Sequence, residues 1–414
     1  IMIYRVIKQK RYRKGWAQRL GKIKRRFPHK KCIWLHAVSV GEVNAAKTLV
    51  SELENRFSDC EIVISSTTDT GFARAMSLFG ERFEVFYFPF DLSWSMRRAF
   101  DRVHPSLCLL MELEVWPNFI QIAKQLDTPV VVVNGRISDD SFAHYRKIRP
   151  VLKKTFGKLS LVLAQTYEYA HRFKELGCPS ERVLVTGSLK YDTAQIADKV
   201  DGADALAAQL DISHERLWVA GATGNDEEAV LLDVYQSLKE QEKFKDLRLA
   251  IVPRKPERFN EVAELIKNAG LDVMRYSQVK NSTAPLPVNN KAVILGDTMG
   301  DLRKFYSLAT MIFVGRSLVS MGGSDMMEAA ALGKCTIFGP YAFNFKQAVE
   351  ALLAGDGAIM VKNKQELLQM LQKCLCDPDF AQKIAENGRE VIKKNQGATA
   401  KSIEQIARFL TENK

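Results

Sequence analysis

Short apolar runs at residues 33–37, 62–65, 85–88, 107–111, 130–133, 161–164 and 183–185 alternate with amphipathic stretches through the first half of the chain. Continuous apolar runs of this length, separated by helical periodicity, predict a parallel sheet covered on both faces. Residues 193–214 turn polar and Ala/Asp-rich, which suggests a linker. The rhythm then restarts at 217–221, 249–252, 292–295, 312–315, 336–338 and 358–361, predicting a second parallel sheet. The expected fold class is α/β, with two Rossmann-like domains whose strand ends face a cleft, where open α/β sheets bind ligands. The expected division is 1–31 as a basic segment, 32–200 as the first domain and 210–414 as the second. The terminal helix near 398–410, apolar at Ile403, Ile406, Ala407 and Leu410, can pack back on the first domain.

The first strand leads into chemistry. Residues 34–44 read Trp-Leu-His-Ala-Val-Ser-Val-Gly-Glu-Val-Asn, a strand, a Ser-Val-Gly turn and a helix start that places Glu42 in the first helical turn. A carboxylate there stabilises a helix end through the dipole, or acts as a base at the mouth of the sheet. Residues 111–118 put Glu112 at the end of another strand of the same edge, before Pro117 opens a helix. Arg136 follows the strand at 130–133, and Lys190 follows the one at 183–185. Cations at such ends suit an anionic ligand.

In the second half, residues 252–258 close a strand with Pro253, Arg254, Lys255 and Arg258, a compact grip for a phosphate or carboxylate. Residues 296–302, with Met299, Gly300 and Asp301, open a helix whose free N–H groups suit a phosphate. Residues 315–330 combine a strand, the Gly322-Gly323 turn, Ser324 and a helix carrying Glu328, a nucleotide-sized element whose carboxylate suits ribose hydroxyls. Residues 339–345, ending in Asn344 and Phe345, would wall the same cleft.

With 414 residues and 46% hydrophobic content, the chain can bury large cores. Its formal charge of +12 is local: residues 1–41 hold thirteen of the 60 Lys and Arg and none of the 48 acids. A basic stripe of this kind is drawn to an anionic membrane leaflet. Tyr4, Tyr12, Trp16 and Phe27 are too few aromatics for nucleic-acid stacking, so no nucleic acid is expected. No run of eighteen apolar residues occurs. The chain starts Ile1-Met2-Ile3-Tyr4, which leaves room for an anchor upstream.

The seven cysteines show no metal-ligand spacing, and several read as small buried hydrophobes in a reducing cytoplasm. All six histidines precede residue 215, which excludes a histidine zinc site in the second half. Asp377-Pro378-Asp379 matches a metal-holding D-x-D pattern but reads as a turn. Neither a phosphate-binding G-x-x-x-x-G-K-[ST] nor a G-x-S-x-G is present.

Taken together, H-A-V-S-V-G-E at 36–42, E-L-E-V-W-P-N at 112–118, N-G-R-I-S at 134–138, T-G-S-L-K-Y-D at 186–192, P-R-K-P-E-R at 253–258 and G-P-Y-A-F-N-F at 339–345 resemble the Kdo transferases. These enzymes of glycosyltransferase family 30 move 3-deoxy-D-manno-octulosonic acid (Kdo) from CMP-Kdo to the lipid A precursor, lipid IVA. The resemblance implies a GT-B fold, no metal or other cofactor, and inverting transfer with Glu42 as general base. It implies that Glu112 and Lys190 support the transition state. It also implies CMP contacts from Pro253, Arg254, Met299, Gly300, Asp301, Gly322, Gly323, Ser324, Asp325, Met326, Met327, Glu328 and Asn344. The implied partners are CMP-Kdo, the glycolipid and the anionic inner-membrane surface, at the cytoplasmic face. Two motifs depart from the family: its G-G-H-N-P-L-E stands here as Gly-Gly-Ser-Asp-Met-Met-Glu at 322–328, and its G-P-H as Gly-Pro-Tyr at 339–341.

Overall fold

The structure is a computed structural model and describes residues 14–212, 216–281, 289 and 291–411. The chain forms two compact units, one from the residues up to Thr193 together with those from Asn395 onward, the other Ala194–Lys394.

Every apolar run expected in the first half is a strand of the first unit: β1 (Lys31–His36), β2 (Cys60–Ser66), β3 (Glu84–Tyr87), β4 (Leu107–Met111), β5 (Val130–Gly135), β6 (Leu161–Ala164) and β7 (Val183–Val185). They pair in parallel in the order β3-β2-β1-β4-β5-β6-β7. Alternate residues feed cores on opposite faces. Cys32 and Trp34 join Phe86, Phe100 and Phe119 on one side, and Ile33 and Leu35 join the helix Val40–Arg56 on the other. Trp34 is the centre of the first core, with its ring 5.1–5.5 Å from those of the three phenylalanines. Ser39, Thr68, Ser138 and Thr166 each cap a helix that follows a strand, their hydroxyls accepting a backbone N–H of the first turn. The order reverses between β1 and β4, and a ligand site is expected beyond the carboxyl ends of strands at such a switch point.

The second unit holds β8 (Arg216–Thr223), β9 (Leu247–Pro253), β10 (Val273–Arg275), β11 (Val293–Leu295), β12 (Met311–Val314), β13 (Cys335–Phe338) and β14 (Ile359–Met360). Their order is β10-β11-β9-β8-β12-β13-β14, again all parallel, with the switch between β8 and β12. β10 is the strand the pattern did not predict. It has three residues, all half-buried, at the sheet edge, and so lacks the apolar run of an interior strand.

Two expectations change, those for the linker and the basic segment. The stretch expected as a linker contains the helix Ala203–Leu210, which buries Ala203, Leu206, Ala207 and Leu210; two of its alanines belong to a packed face rather than a polar spacer. The terminal helix Ala398–Thr411 belongs to the first unit, where Ala398, Ile403, Ile406 and Leu410 complete the core containing Ile33 and Leu35. The basic segment is only partly a free stripe. Residues 1–13, with Tyr4 and Tyr12, lie outside the described residues. In the remainder, Arg19 is buried, donating to the carbonyls of Lys14 and Thr67 at 2.9 Å each. Arg25 pairs with Glu61 at 2.7 Å, and Arg26 donates to the Gly80 carbonyl at 2.7 Å. Lys14, Lys22, Lys24 and Lys31 remain exposed.

Cys32, Cys108, Cys178, Cys335 and Cys374 are buried as small apolar groups. Asp377 ends the helix Lys364–Cys376 and Pro378 begins the next, so the D-x-D stretch is a turn between helices.

Candidate active site

At the carboxyl end of β1 the chain turns through 37–39 into the helix Val40–Arg56. Ser39 Oγ accepts the Glu42 N–H at 3.3 Å and donates to Glu42 Oε1 at 2.8 Å, while Val38 N–H donates to Glu42 Oε2 at 2.9 Å. This is a capping box, so the structural role foreseen for Glu42 is present. The electrostatics set its proton affinity. Burial pushes the Glu42 carboxyl up to about 7; the Val38 N–H pulls it down, and the charge of Glu112 raises it further. A carboxyl poised near neutrality beside a switch point has the proton affinity of a general base.

Glu112 follows β4, next to β1 in the sheet, and adopts a left-handed backbone with φ 52°. Its N–H reaches the Val133 carbonyl at 3.0 Å, which fixes the turn. Glu114, two residues on, accepts the Trp116 indole N–H at 2.9 Å. Burial and then the charge of Glu42 push its carboxyl up to about 8. Glu114 Oε2 lies 4.0 Å from Nε2 of His36. Burial drives His36 down to about 3. It is therefore a neutral imidazole, stacked on Phe88 at 3.7 Å, with Nδ1 donating to the Ser65 carbonyl at 3.1 Å and Nε2 left as acceptor. Three carboxyl groups thus share one edge, and burial raises two of them, Glu42 and Glu114.

Lys190 lies in the short helix Leu189–Thr193, which packs against the helix carrying Glu42. That helix is tied to the sheet edge by Leu189 N–H donating to Asn134 Oδ1 at 3.0 Å.

In the second unit the residues singled out by sequence separate into two kinds. Arg254 is exposed just after Pro253, the last residue of β9, and its charge is felt by Glu328. Glu328 opens the helix Met327–Ala331, and burial and then the Asp325 charge raise its carboxyl. Gly322 and Gly323 have φ of 89° and 79°. A Cβ on Gly322 would lie 2.0 Å from Asn344 Nδ2, and one on Gly323 would lie 2.9 Å from the Ala342 Cα, so residues 342–344 press directly on the turn. Asn344 is exposed there and its N–H bonds the Gly322 carbonyl at 3.1 Å. Arg254, Asp325 and Glu328 therefore form one neighbourhood, and Gly322, Gly323 and Asn344 form a tight turn.

Other positions are occupied by the fold itself. Met326 and Met327 are buried in the core, which leaves only their backbone groups for a ligand. The Ser324 hydroxyl donates to the Ala222 carbonyl at 3.1 Å. Asp301 is engaged by Lys280 and Lys304 at 2.8 Å each and by Thr298 at 2.6 Å. Those hydrogen bonds outweigh burial and hold its carboxyl at about 2. Its neighbour Met299 is exposed, and Gly300, at φ 90°, has open space around it. Arg258 is a structural cation, paired with Glu228 and with Glu261 at 2.7 Å, and does not extend the grip of Arg254.

Sequence reasoning passed over His36, Glu114 and Glu227. Glu227 is buried at the β8–β12 switch and its carboxylate accepts the N–H groups of Gly224, Arg316, Ser317 and Leu318 at 2.6–3.3 Å. The only signal for it was its place three residues after the glycine that follows β8. Among the described residues no cluster of three His, Cys, Asp or Glu side chains is arranged to hold a metal ion.

Residues 14–193 match the family model described as 3-deoxy-D-manno-octulosonic-acid transferase (kdotransferase). The chain is 33% identical over 412 residues to the 3-deoxy-D-manno-octulosonic acid transferase of Haemophilus influenzae, covering 98% of this chain and 94% of that protein. It is 32% identical to the Bordetella pertussis transferase of the same name, over 91% of this chain and 87% of that one. Among solved structures, a glycosyltransferase from Rickettsia africae shares the fold at a TM-score of 0.58 and 16% identity, covering 93% of this chain and 100% of that chain. The two parallel-sheet units, the switch-point carboxylates and these likenesses together show that the chain belongs to the Kdo transferase family, GT-B glycosyltransferases of lipopolysaccharide biosynthesis.

Proposed function

We propose that the protein transfers Kdo from CMP-Kdo to the lipid A precursor lipid IVA, with inversion and without a metal, Glu42 acting as general base. The observation that carries this reading is the Glu42 carboxyl, buried at the β1–β4 switch and raised to about 7. An acceptor sugar hydroxyl attacks the anomeric carbon of Kdo, Glu42 takes the hydroxyl proton, and the bond to the CMP phosphate breaks with its electron pair leaving on that phosphate. Lys190 and Glu112 support the transition state from the same unit. In the second unit, Arg254 and the N–H groups around Gly323 receive the charge developing on the departing phosphate, and Glu328 takes the ribose hydroxyls.

A membrane-surface location at the cytoplasmic face fits the exposed lysines and three exposed apolar side chains, Trp16, Leu92 and Trp94. These lie on segments held together by the Phe90 N–H and the Ser95 hydroxyl, both donating to the Arg19 carbonyl at 2.8 Å. Aromatic side chains flanked by lysines suit the interface of an anionic leaflet.

The test is incubation with CMP-Kdo and lipid IVA followed by weighing the product, beside the Glu42→Gln variant. The expected result is addition of Kdo by the wild type, and a variant that still binds CMP but loses activity by about two to four orders of magnitude. Near wild-type turnover in the variant would remove Glu42 from the role of base. The altered 322–328 motif favours a second reading, a GT-B enzyme with another nucleotide sugar. That reading predicts stronger thermal stabilisation by UDP or GDP than by CMP. Release of free sugar without a lipid acceptor would instead mark a nucleotide-sugar hydrolase or epimerase.

A further inference from the structure

Beyond β4, the same sheet edge carries a polar cluster that this reaction scheme leaves unused. Strand β5 slips against β6 between Val132 and Gly135, a bulge that inserts an extra residue just where the chain leaves the sheet. At the bulge Asn134 is fully buried with φ 57°. Its carbonyl accepts Gln165 Nε2 at 3.0 Å and its Oδ1 accepts the Leu189 N–H at 3.0 Å. The other polar atoms here have no protein partner: Asn134 Nδ2, Gln165 Oε1, Thr186 Oγ1 and Arg136 Nε are all buried and unpaired among the described residues. Asn134, Gln165 and Thr186 are each no more than 5% exposed. Buried polar atoms are paired in the great majority of cases, so four unpaired atoms at the ends of three adjacent strands form an unusual concentration.

Arg136 differs from Arg19, Arg25 and Arg172 of its unit. Arg19 and Arg25 are tied to carbonyls and carboxylates, and Arg172 is held by the Ile137 carbonyl, Asp139 and Glu168. Arg136, half-buried, has neither an ion pair nor a hydrogen bond from its side chain among the described residues. It stands two strands from Glu42 and next to the Glu112 strand, on an edge that also carries the carboxyls of Glu42, Glu112 and Glu114 and, beyond β7, Lys190. An anionic substrate approaching those three acids requires a cation at the same edge.

We propose that Arg136, backed by the Asn134 amide and the Thr186 hydroxyl, is a binding subsite for an anionic oxygen group of a sugar substrate, with Gln165 Oε1 accepting a neighbouring hydroxyl. The guanidinium supplies charge and a planar pair of donors, the Asn134 amide and Thr186 hydroxyl supply further donors, and Gln165 is the acceptor that a sugar rather than a bare ion would use. The proposal rests on the transferase reading, in which the anion is either a phosphate of the glycolipid acceptor or the carboxylate of the donor sugar.

The experiment uses the full chain with Arg136→Ala, Arg136→Lys and Thr186→Val. Since none of these side-chain groups has a protein partner among the described residues, melting temperatures should stay near wild type. Arg136→Ala is expected to raise the KM of one substrate by about tenfold or more, with kcat little changed and partial recovery in Arg136→Lys. A rise confined to bisphosphorylated acceptor, and absent with dephosphorylated acceptor, assigns the subsite to the acceptor phosphate. A rise confined to CMP-Kdo assigns it to the donor carboxylate. Unchanged KM values for both substrates, or an equal rise with phosphorylated and dephosphorylated acceptor and none for the donor, overturn the subsite. A parallel melt with inorganic phosphate separates this from the transferase reading. Wild type should be stabilised by phosphate and Arg136→Ala should not, whether or not Kdo transfer occurs; equal stabilisation of both also overturns the subsite.

Discussion

Replacing Glu42 by Gln should make the protein more stable at alkaline pH while removing its activity. In the folded chain the carboxyl is raised from 4.5 to about 7, with burial the largest cause. At about 1.4 kcal/mol per pH unit, that interval corresponds to a cost of about 3 kcal/mol for holding the ionised group in place. The sign follows from the direction of the change. Below 4.5 both folded and unfolded chains carry a protonated Glu42 and no cost arises; the cost grows as pH rises towards 7 and is complete above it. Favourable interaction with the helix dipole is worth only about 0.3–1 kcal/mol and does not reverse this. Glutamine never ionises, but its single acceptor oxygen cannot serve both Val38 N–H and Ser39 Oγ–H, which bond different carboxylate oxygens at 2.9 and 2.8 Å. Losing one of those bonds offsets about 1 kcal/mol. The expected net gain is therefore about 1–2 kcal/mol at pH 8.5, or about 2–8 °C in the melting of a unit of this size, shrinking towards zero at pH 5. Thermal melts of wild type and variant at the two pH values measure it directly. A difference independent of pH, or a variant less stable at pH 8.5, refutes burial as the source of the raised proton affinity.

Three further outcomes test the site. The acid limb of kcat/KM should lie near pH 7, where Glu42 ionises. Glu112→Gln should move that limb to lower pH, because the Glu112 charge adds to burial in raising Glu42; an unmoved limb in a pH–rate series would dissociate the two residues. Gly323→Ala places a Cβ 2.9 Å from the Ala342 Cα on a backbone with φ 79°. It should cost about 1–3 kcal/mol in a denaturant melt and abolish stabilisation by CMP, and retained CMP stabilisation argues against the 322–328 turn as the nucleotide site.

The parallel sheets were readable in the sequence because burial on both faces leaves continuous apolar runs, as in residues 130–133 and 161–164. β10 was not, since a half-buried edge strand of three residues has no such signature. Glu42 stood out because a glycine turn and a helix start flank it. Glu114 stood two residues beyond Glu112 with nothing in its spacing to show that Trp116 and the Glu42 charge would surround it. Asn134 acquires its position from a bulge and a left-handed backbone, and neither has a pattern in side-chain type. Met326 and Met327 were grouped with the nucleotide contacts by the resemblance, which matches positions without saying which side chains face inward. Glu227 was hidden in the acidic run 226–228, which resembles a solvated surface.

The return of the helix Ala398–Thr411 to the first unit has a consequence for how the molecule is made. The core around Ile33 and Leu35 lacks Ile403, Ile406 and Leu410 until those residues are synthesised. During translation, then, the unit whose strands emerge first is the last to be sealed, while the contiguous stretch Ala194–Lys394 has all its residues earlier. A chain interrupted near residue 395 would thus carry a complete second unit and an open apolar face on the first, so loss of the C-terminal helix would lead to aggregation of the N-terminal half.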